Sequence, residues 1–151
     1  MTALHVLFKV GGAEYVLAAE DVLHMESFGG ATKVPGTPEH VAGIMQVRGR
    51  VVPVIDLRVR FGLEPQPPTL DSRVVVVQRG PRAVALLADS AREVVRLEPG
   101  SFHVPPEIVV ESGSGFVKSV THAGNRLLML LDLPRLMAED AEDSDNAIHA
   151  R

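Results

Sequence analysis

The chain has 151 residues, of which 46% are hydrophobic, and this is enough for one domain or two small subdomains that share a core. The formal net charge of −4 argues against a nucleic-acid-binding protein, because a phosphate-binding surface normally carries a basic excess. The absence of cysteine excludes a disulfide framework and a cysteine-based zinc site, and it fits a reducing cytoplasm. Neither a signal peptide nor a membrane-spanning segment is predicted.

The first third of the chain is a series of short, punctuated segments. Leu4 to Val10 alternates apolar and polar residues and is followed by Gly11-Gly12, so it predicts a hairpin with Glu14 to Leu17. By periodicity alone, Glu20 to Phe28 fits either a strand or one helical turn. Thr37-Pro38-Glu39 predicts the start of a short helix ending near Gly43, because proline suits the first helical position.

The stretch from Gly43 to Gly62 carries the most specific pattern. Val51 to Leu57 is rich in β-branched residues and predicts a strand, in which Pro53 requires an edge, a bulge or a barrel corner. Arg48-Gly49-Arg50 predicts a turn before that strand. Arg58 and Arg60 continue the spacing of two residues, which indicates an extended segment with one wet face.

The second half of the chain predicts further hairpins, a short helix and a tail. A proline-rich loop over residues 63–68 precedes them. Apolar runs separated by Gly, Pro and Asn indicate two hairpins and a single strand between them. The hairpins pair Arg73 to Gln78 with Arg82 to Ala88 and Phe116 to Thr121 with Arg126 to Leu133, the single strand is Asp89 to Leu97, and Leu133 to Met137 is the helix.

Several motifs in this order match one family. The matching residues are Thr37-Pro38, Gly43-Ile44, Val47-Arg48-Gly49, Pro53-Val54-Ile55-Asp56-Leu57-Arg58 and Phe61-Gly62. In these residues the chain resembles the CheW domain family, the coupling module of bacterial chemosensory arrays, and the resemblance extends from about Leu4 to Leu136. It favours a strand for Glu20 to Phe28. Two positions depart from the family pattern: Gln46 stands where Asn is usual, and His24 stands where Glu is expected.

Roughly ten short strands predict an all-β protein of the barrel or sandwich class. The resemblance narrows this to two interlocked five-stranded SH3-like β-barrel subdomains with short helices and an intervening core. We expect a CheW-like domain over residues 1–137, with subdomain one at roughly 14–75, subdomain two at roughly 82–131, and terminal strands that cross over. Residues 138–151 are acidic with little apolar surface, so a disordered tail is predicted there.

The pattern contains little that indicates chemistry, and no catalytic residue, cofactor or metal site is predicted. The histidines show no metal-ligand spacing and are interpreted as scattered, solvent-facing residues; they are His5, His24, His40, His103, His122 and His149. Asp56 and Asp89 are candidate general bases by residue type alone. Because several arginines surround Asp56, ion-paired structural roles are favoured for both carboxylates.

What the resemblance implies is a scaffold. A protein of this kind bridges the regulatory domain of a CheA-type histidine kinase to the cytoplasmic tip of methyl-accepting chemoreceptors, without binding nucleic acid or inserting into the membrane. It would be cytoplasmic and reach membrane arrays through its partners. The resemblance places the receptor in a groove between the subdomains, and the residues carried over to that groove are Val22, His24, Met25, Arg48, Ala91 and Val94.

Other interpretations stay open at this point. From residue type alone, Val22, Met25, Ala91 and Val94 are as expected for ordinary core packing. The same adaptor could serve a chemosensory system that controls pili or gliding instead of flagella. A small β-barrel enzyme or ligand-binding protein is a further alternative, and it would require a deep pocket with converging polar groups.

Overall fold

The computed structural model describes residues 2–106 and 115–137. Over these ranges it contains ten strands, a helical turn α1 (Leu57–Arg60), a second α-helical segment at residues 133–137, and two short 3-10 helices at Ala19–Asp21 and Pro99–Ser101. The predicted tail at 138–151 lies outside the described residues. The strands are β1 (Ala3–Val10), β2 (Ala13–Ala18), β3 (Val22–Ser27), β4 (Val41–Val47), β5 (Arg50–Asp56), β6 (Arg73–Arg79), β7 (Arg82–Ala88), β8 (Ser90–Leu97), β9 (Val117–Ala123) and β10 (Arg126–Leu131).

These strands form two five-stranded sheets, ordered β8-β1-β2-β10-β9 and β3-β6-β7-β5-β4. An isolated bridge joins His103, which follows β8, to Val120 on β9, and a second bridge joins Thr32, which follows β3, to Ile44 on β4. Each bridge connects the two edges of one sheet and closes it into a small barrel. We call these the terminal barrel (β1, β2, β8, β9 and β10) and the central barrel (β3 to β7). The predicted all-β fold of two interlocked five-stranded SH3-like barrels is confirmed.

The two barrels repeat one strand arrangement. In each, a hairpin (β6-β7 or β1-β2) pairs in parallel with the second strand of another hairpin (β5 or β10). The terminal barrel therefore has the order of the central barrel in permuted form, with β8, β9, β10, β1 and β2 in the places of β3 to β7. The repeat extends to a detail, because Asp56 Oδ1 accepts from the amide of Arg58 and Asp132 Oδ1 accepts from the amide of Arg135, each at the start of a helical segment.

The sheets divide the chain differently from the predicted subdomain bounds. Arg82–Ala88, assigned to subdomain two, pairs within the central barrel, and the strand from Glu14, assigned to subdomain one, pairs within the terminal barrel. The bounds differ because parallel pairing joins strands that are far apart in the chain, and local pattern carries no information about it. The strands β1 and β2 complete a barrel otherwise built from β8 to β10.

Three apolar clusters hold the barrels together. Each barrel has an interior cluster, and a larger cluster between the barrels, which we call the shared core, takes residues from both. The run of four valines on β6 explains how one strand serves two clusters: Val74 and Val76 face the central barrel interior, whereas Val75 and Val77 face the shared core. This is why the run is continuously apolar instead of alternating.

Two local predictions are wrong. Residues 37–43 form a turn and the start of β4 instead of a helix, with one bond from the amide of Val41 to the carbonyl of Pro38, because β4 already pairs with β5 from Val41 onward. Arg58 and Arg60 lie on α1 instead of an extended segment, since the Asp56 side chain caps the free amides there.

Pro53 lies on β5, which is an inner strand of the central barrel. The pairing of β5 with β7 begins only at Val54, so Pro53 has a neighbouring strand, β4, on one side only. The missing amide donor is tolerated at this position because β5 is locally an edge there. Over the described ranges, no helix is long and apolar enough to cross a membrane.

Candidate partner-binding site

Two edge strands, β3 and β8, carry five of the six residues predicted to line a groove. They occupy equivalent positions in the central and the terminal barrel. On β3, Val22 pairs with Val77 and Met25 with Val75, and both partners belong to the shared core. Because directly paired residues share one face of a sheet, Val22 and Met25 lie on the side of β3 that faces the shared core. Met25 remains 37% exposed.

The same relationship holds on β8. Ala91 pairs with Phe8 and Val94 with Val6, and both partners are buried in the shared core. Ala91 itself is only 6% exposed, whereas Val94 is 51% exposed. Of the four apolar residues predicted for the groove, Val22 and Ala91 therefore pack against the shared core. Met25 and Val94 present exposed apolar surface beside it, which we call the apolar rim.

His24 and Arg48 lie on the other side of β3. His24 pairs with Val76, a residue of the central barrel interior, and Glu26 follows on the same face. Arg48 reaches this face from the β4-β5 turn, where its Nε lies 3.1 Å from Oε1 of Glu26. The structure thus separates the six predicted residues into an apolar rim and a polar group centred on Arg48.

The position of Arg48 follows from a positive φ angle, which is rare for a residue other than glycine. Arg48 has φ of 49° and Gly49 has φ of 80°, and a two-residue hairpin turn of type I′ requires positive φ at both positions. Over the described residues, Arg48 is the one residue other than glycine with positive φ. Its side chain is 65% exposed, so it remains available to a partner on the outside of the barrel while it pairs with Glu26.

Glu26 is a residue that sequence reasoning missed. The expected carboxylate was at position 24, where this chain has His24. Because strand residues two apart lie on the same face, Glu26 presents its carboxylate on the side where a Glu at position 24 would stand. A search for carboxylates at positions two residues away on β3 would have found it.

The ion pair between Arg58 and Asp89 connects the two barrels, because Asp89 also binds the β1-β2 turn. Arg58 on α1 binds Asp89 through two contacts of 2.9 Å, from Nε and from a terminal nitrogen. Oδ2 of Asp89 also accepts from the amide of Gly11 in the β1-β2 turn at 2.9 Å. The hydrogen bond with Asp89 raises the pKa of Arg58 above its ordinary value. The ion-paired structural role predicted for Asp89 is confirmed. Asp56 is structural too, but it acts as a helix cap, accepting a hydrogen bond from the amide of Arg58.

The histidines differ in their exposure to solvent. His5 and His40 are buried, so the prediction of solvent-facing histidines is wrong for both. The His5 ring packs 5.5 Å from the ring of Phe102, and its Nδ1 lies 3.1 Å from the carbonyl oxygen of Ala3. Over the described residues, no three His, Cys, Asp or Glu side chains are grouped in a way that could hold a metal ion.

Comparison with known proteins connects this geometry to a family. A family model described as "CheW-like domain" matches residues 4–141. The chain belongs to the CheW-like domain family. The family resemblance inferred from the residue pattern is therefore confirmed.

Similar proteins occur in several bacteria. Chemotaxis protein CheW of Bacillus subtilis is 29% identical over 143 residues, which cover 95% of this chain and 90% of that protein. The scaffolding protein TtCheW of Thermoanaerobacter tengcongensis superposes with a TM-score of 0.79 at 30% identity, covering 88% of this chain and 86% of that chain. Protein PilI of Pseudomonas aeruginosa is 33% identical over 85 residues, which cover 54% of this chain and 46% of that protein.

Proposed function

We propose that this CheW-like protein is a non-catalytic adaptor that couples methyl-accepting chemoreceptors to a CheA-type histidine kinase in a cytoplasmic array. The observation that carries the proposal is the apolar rim, which is the exposed apolar surface of Met25 and Val94 on the sides of β3 and β8 that face the shared core. Surfaces of this kind support binding of another protein, because exposed apolar residues beside a rigid core bury area without reorganising the fold.

The rim is suited to a helical partner. A helix that lies between β3 and β8 would bury the exposed parts of Met25 and Val94 against the shared core, as in other helix-in-groove complexes. The cytoplasmic tip of a chemoreceptor, a helical hairpin, is the partner that the family resemblance implies. Val22 and Ala91 would support this contact from below, since both pack with the shared core.

Arg48 and Glu26 supply the polar part of the proposed contact. The exposed Arg48 guanidinium can donate to a partner carboxylate or carbonyl while the turn holds its backbone in a fixed conformation. His24, on the same face of β3, lies where the family pattern has a carboxylate. The chain is therefore expected to differ from other family members in the receptors that it prefers.

The free ends of the barrels support kinase docking. Val51 and Leu127 occupy equivalent places, each five residues before the Asp that caps the following helical segment, and they are 61% and 56% exposed. The regulatory domain of a CheA-type kinase resembles CheW-like domains, so barrel ends of the two proteins can pack against each other. We expect each of these residues to contact a kinase barrel in the assembled array.

Binding to the kinase's purified CheW-like domain tests this part of the proposal. The complex should form with micromolar or tighter affinity, about −8 kcal/mol or stronger. Val51→Ser and Leu127→Ser should each weaken it, whereas Leu70→Ser, which removes an exposed apolar residue from a loop, should not. The absence of any complex at tens of micromolar would contradict the adaptor function.

Receptor binding is tested separately. Met25→Glu and Val94→Glu should each abolish co-sedimentation with receptor-containing membranes, because a charge would be buried against the shared core. Kinase binding by the same folded variants should persist, which shows that the two surfaces are distinct. Variants that still bind receptor normally would remove the rim from the interface.

A pilus or gliding system is the second candidate, and the similarity to PilI favours it. Co-precipitation from native lysate distinguishes the two, because the receptor and the kinase captured together identify the system. A ligand-binding function has less support. The cavity of about 350 Å³ beside Arg58 is bordered by three carboxylates and Lys9, and the Arg58 guanidinium is already bound to one of those carboxylates, that of Asp89.

A further inference from the structure

One end of the central barrel concentrates positive charge. In the β6-β7 hairpin, Arg79 and Arg82 are directly paired across the two-residue turn Gly80-Pro81. Arg50, the first residue of β5, donates from a terminal nitrogen to the carbonyl of Pro81 at 2.7 Å. Three guanidinium groups therefore surround one turn, and we call this the arginine end.

This arrangement is unfavourable for the fold by itself. Like charges placed directly opposite each other on neighbouring strands destabilise a sheet. Over residues 2–106 and 115–137, neither Arg50 nor Arg79 forms an ion pair with a carboxylate. An anionic group from elsewhere would therefore find two cations available at the arginine end.

An anionic segment that could bind these arginines follows residue 137 in the sequence. Residues 139–145 hold five carboxylates, which are Glu139, Asp140, Glu142, Asp143 and Asp145. Residues 138–151 contain these five of the 19 acidic residues and one of the 15 basic residues, so residues 1–137 carry 14 of each and no net charge. The formal charge of −4 thus belongs entirely to the tail.

The point where the described residues end lies beside the arginine end. Arg82 donates from a terminal nitrogen to the carbonyl oxygen of Met137 at 2.7 Å. Arg79, Arg82, Pro134 and Met137 border a surface cavity of about 310 Å³. The first tail carboxylate follows Met137 by two residues, and each extended residue spans about 3.3 Å, so the whole acidic segment is within reach of the turn.

We propose that the acidic segment 139–145 docks on the arginine end of its own chain, contacting Arg79 and Arg50. Tethering through Met137 gives the segment a high effective concentration there, so the contact forms without a large apolar interface. Because Arg50 and Arg79 are exposed, the contact is salt-dependent and contributes little to the stability of the barrels.

A spin label on the tail tests the docking in the full chain. The protein has no cysteine, so Ser144→Cys provides a single labelling site for a nitroxide. At about 10 mM ionic strength, where the Debye length is about 30 Å, the amide NMR signals of Arg79, Gly80 and Arg82 should broaden, whereas that of Gly124 should not. At about 0.5 M salt the broadening should fall to the lower level expected of an undocked tail, because the tether at Met137 still brings the label near the turn part of the time.

Matched variants identify the groups responsible. Arg50→Gln combined with Arg79→Gln should reduce the broadening at low salt to its high-salt level, and Arg96→Gln, which removes an exposed arginine of the terminal barrel, should preserve it. No broadening at the turn at low salt, or equal broadening in the double variant, would overturn the proposal. Broadening in a mixture of spin-labelled chains with isotope-labelled, unmodified chains would also overturn it, because the occupant would then be a second copy.

Docking of the tail has a consequence for assembly that rests on the proposed function. Arg50 directly precedes Val51, so a docked tail would lie beside the surface proposed for kinase binding. Replacing the five tail carboxylates by amides should then strengthen kinase binding at low salt by a few fold and have little effect at high salt. A complete lack of kinase binding would contradict the proposed function, whereas the spin-label result would stand independently.

Discussion

Arg126 on β10 binds Glu14 on β2, with its Nε 3.1 Å from Oε1 of the carboxylate. The two residues are 112 positions apart, so the contact joins the beginning of the terminal barrel to its end. The same guanidinium reaches Glu93 on β8 at 3.0 and 3.1 Å. One cation therefore connects three strands of a barrel whose strands come from two distant parts of the chain.

This contact predicts a dependence of stability on pH. The hydrogen bond from Arg126 lowers the pKa of Glu14 from its ordinary value of 4.5. A lowered pKa stabilises the folded state above pH 4.5, and the contribution is lost as the pH falls through the folded-state pKa. Glu14→Gln should reduce the free energy of unfolding at pH 7 and flatten its decline in acid.

Urea unfolding between neutral pH and about pH 3 measures this effect. Glu20→Gln, which removes an exposed carboxylate from the turn after β2, is the matched control and should keep the profile of the natural protein. A Glu14→Gln profile that is parallel to that of the natural protein would contradict the assignment.

The exposed pair of Arg48 and Glu26 predicts a loss of function without a loss of stability. Arg48→Ala should change the free energy of unfolding by less than about 1 kcal/mol, as is usual for an exposed ion pair. Receptor-dependent control of the kinase should be lost, because the guanidinium is proposed to contact a partner. Thermal melts and a reconstituted kinase assay on the same variant provide the two measurements.

A charge exchange separates two roles of this arginine. In the double variant Arg48→Glu, Glu26→Arg the ion pair can form again with reversed direction. If the pair matters only as a brace between the edges of the central barrel, the double variant should regain control of the kinase. We expect it to remain defective, and a folded Arg48→Ala protein with normal kinase control would disprove the coupling role.

The backbone around Gly43 leaves no room for a side chain. It has φ of 146°, and a Cβ atom at this position would lie 2.2 Å from the carbonyl oxygen of Thr32, which belongs to the bridge that closes the central barrel. Gly43→Ala should destabilise the protein by more than about 2 kcal/mol in urea unfolding, since backbone strain and a clash with backbone add. Gly12→Ala is the control, because Gly12 has φ of 83° and a Cβ added there would meet no atom within 4 Å, so only strain of about 1 kcal/mol remains.

The two aspartates that cap the helical segments should contribute equally to stability, because they occupy equivalent places in the two barrels. Asp56 and Asp132 each accept a hydrogen bond from an amide in the first turn of a helical segment, at 3.0 and 3.1 Å. Asp56→Ala and Asp132→Ala should each cost about 1 kcal/mol in chemical denaturation. If only one of the two variants loses stability, the two caps share their geometry but do not contribute equally to the free energy of unfolding.

Strands and turns were predictable where a local signal exists. The hairpins at Gly11-Gly12 and Gly80-Pro81 were found because the turn residues and the flanking apolar runs lie within a few positions of each other. The helical turn after Asp56 was missed because Arg58 and Arg60 fit a spacing of two as well as they fit a single turn of helix. Four residues are too few to distinguish the two periods.

The candidate site was only partly predictable. The apolar residues of β3 and β8 were identified through family resemblance, but only strand register shows that Met25 and Val94 share the side of the shared core. The partner of Arg48 lies 22 positions earlier in the chain, and the pairing arises from closure of the central barrel. Contacts produced by closure depend on which edges meet, and a linear pattern does not contain that information.

The permuted strand order has a consequence for biosynthesis. Residues 22–88 contain every strand of the central barrel, so this barrel can close on the ribosome as soon as β7 has emerged. The hairpin of β1 and β2 is made first, yet its sheet partners β8 and β10 are made last. Until then, Leu7 and Val16 of this hairpin lack the residues of β8 and β10 that cover them in the terminal barrel, so we expect the nascent N-terminal hairpin to need protection by chaperones.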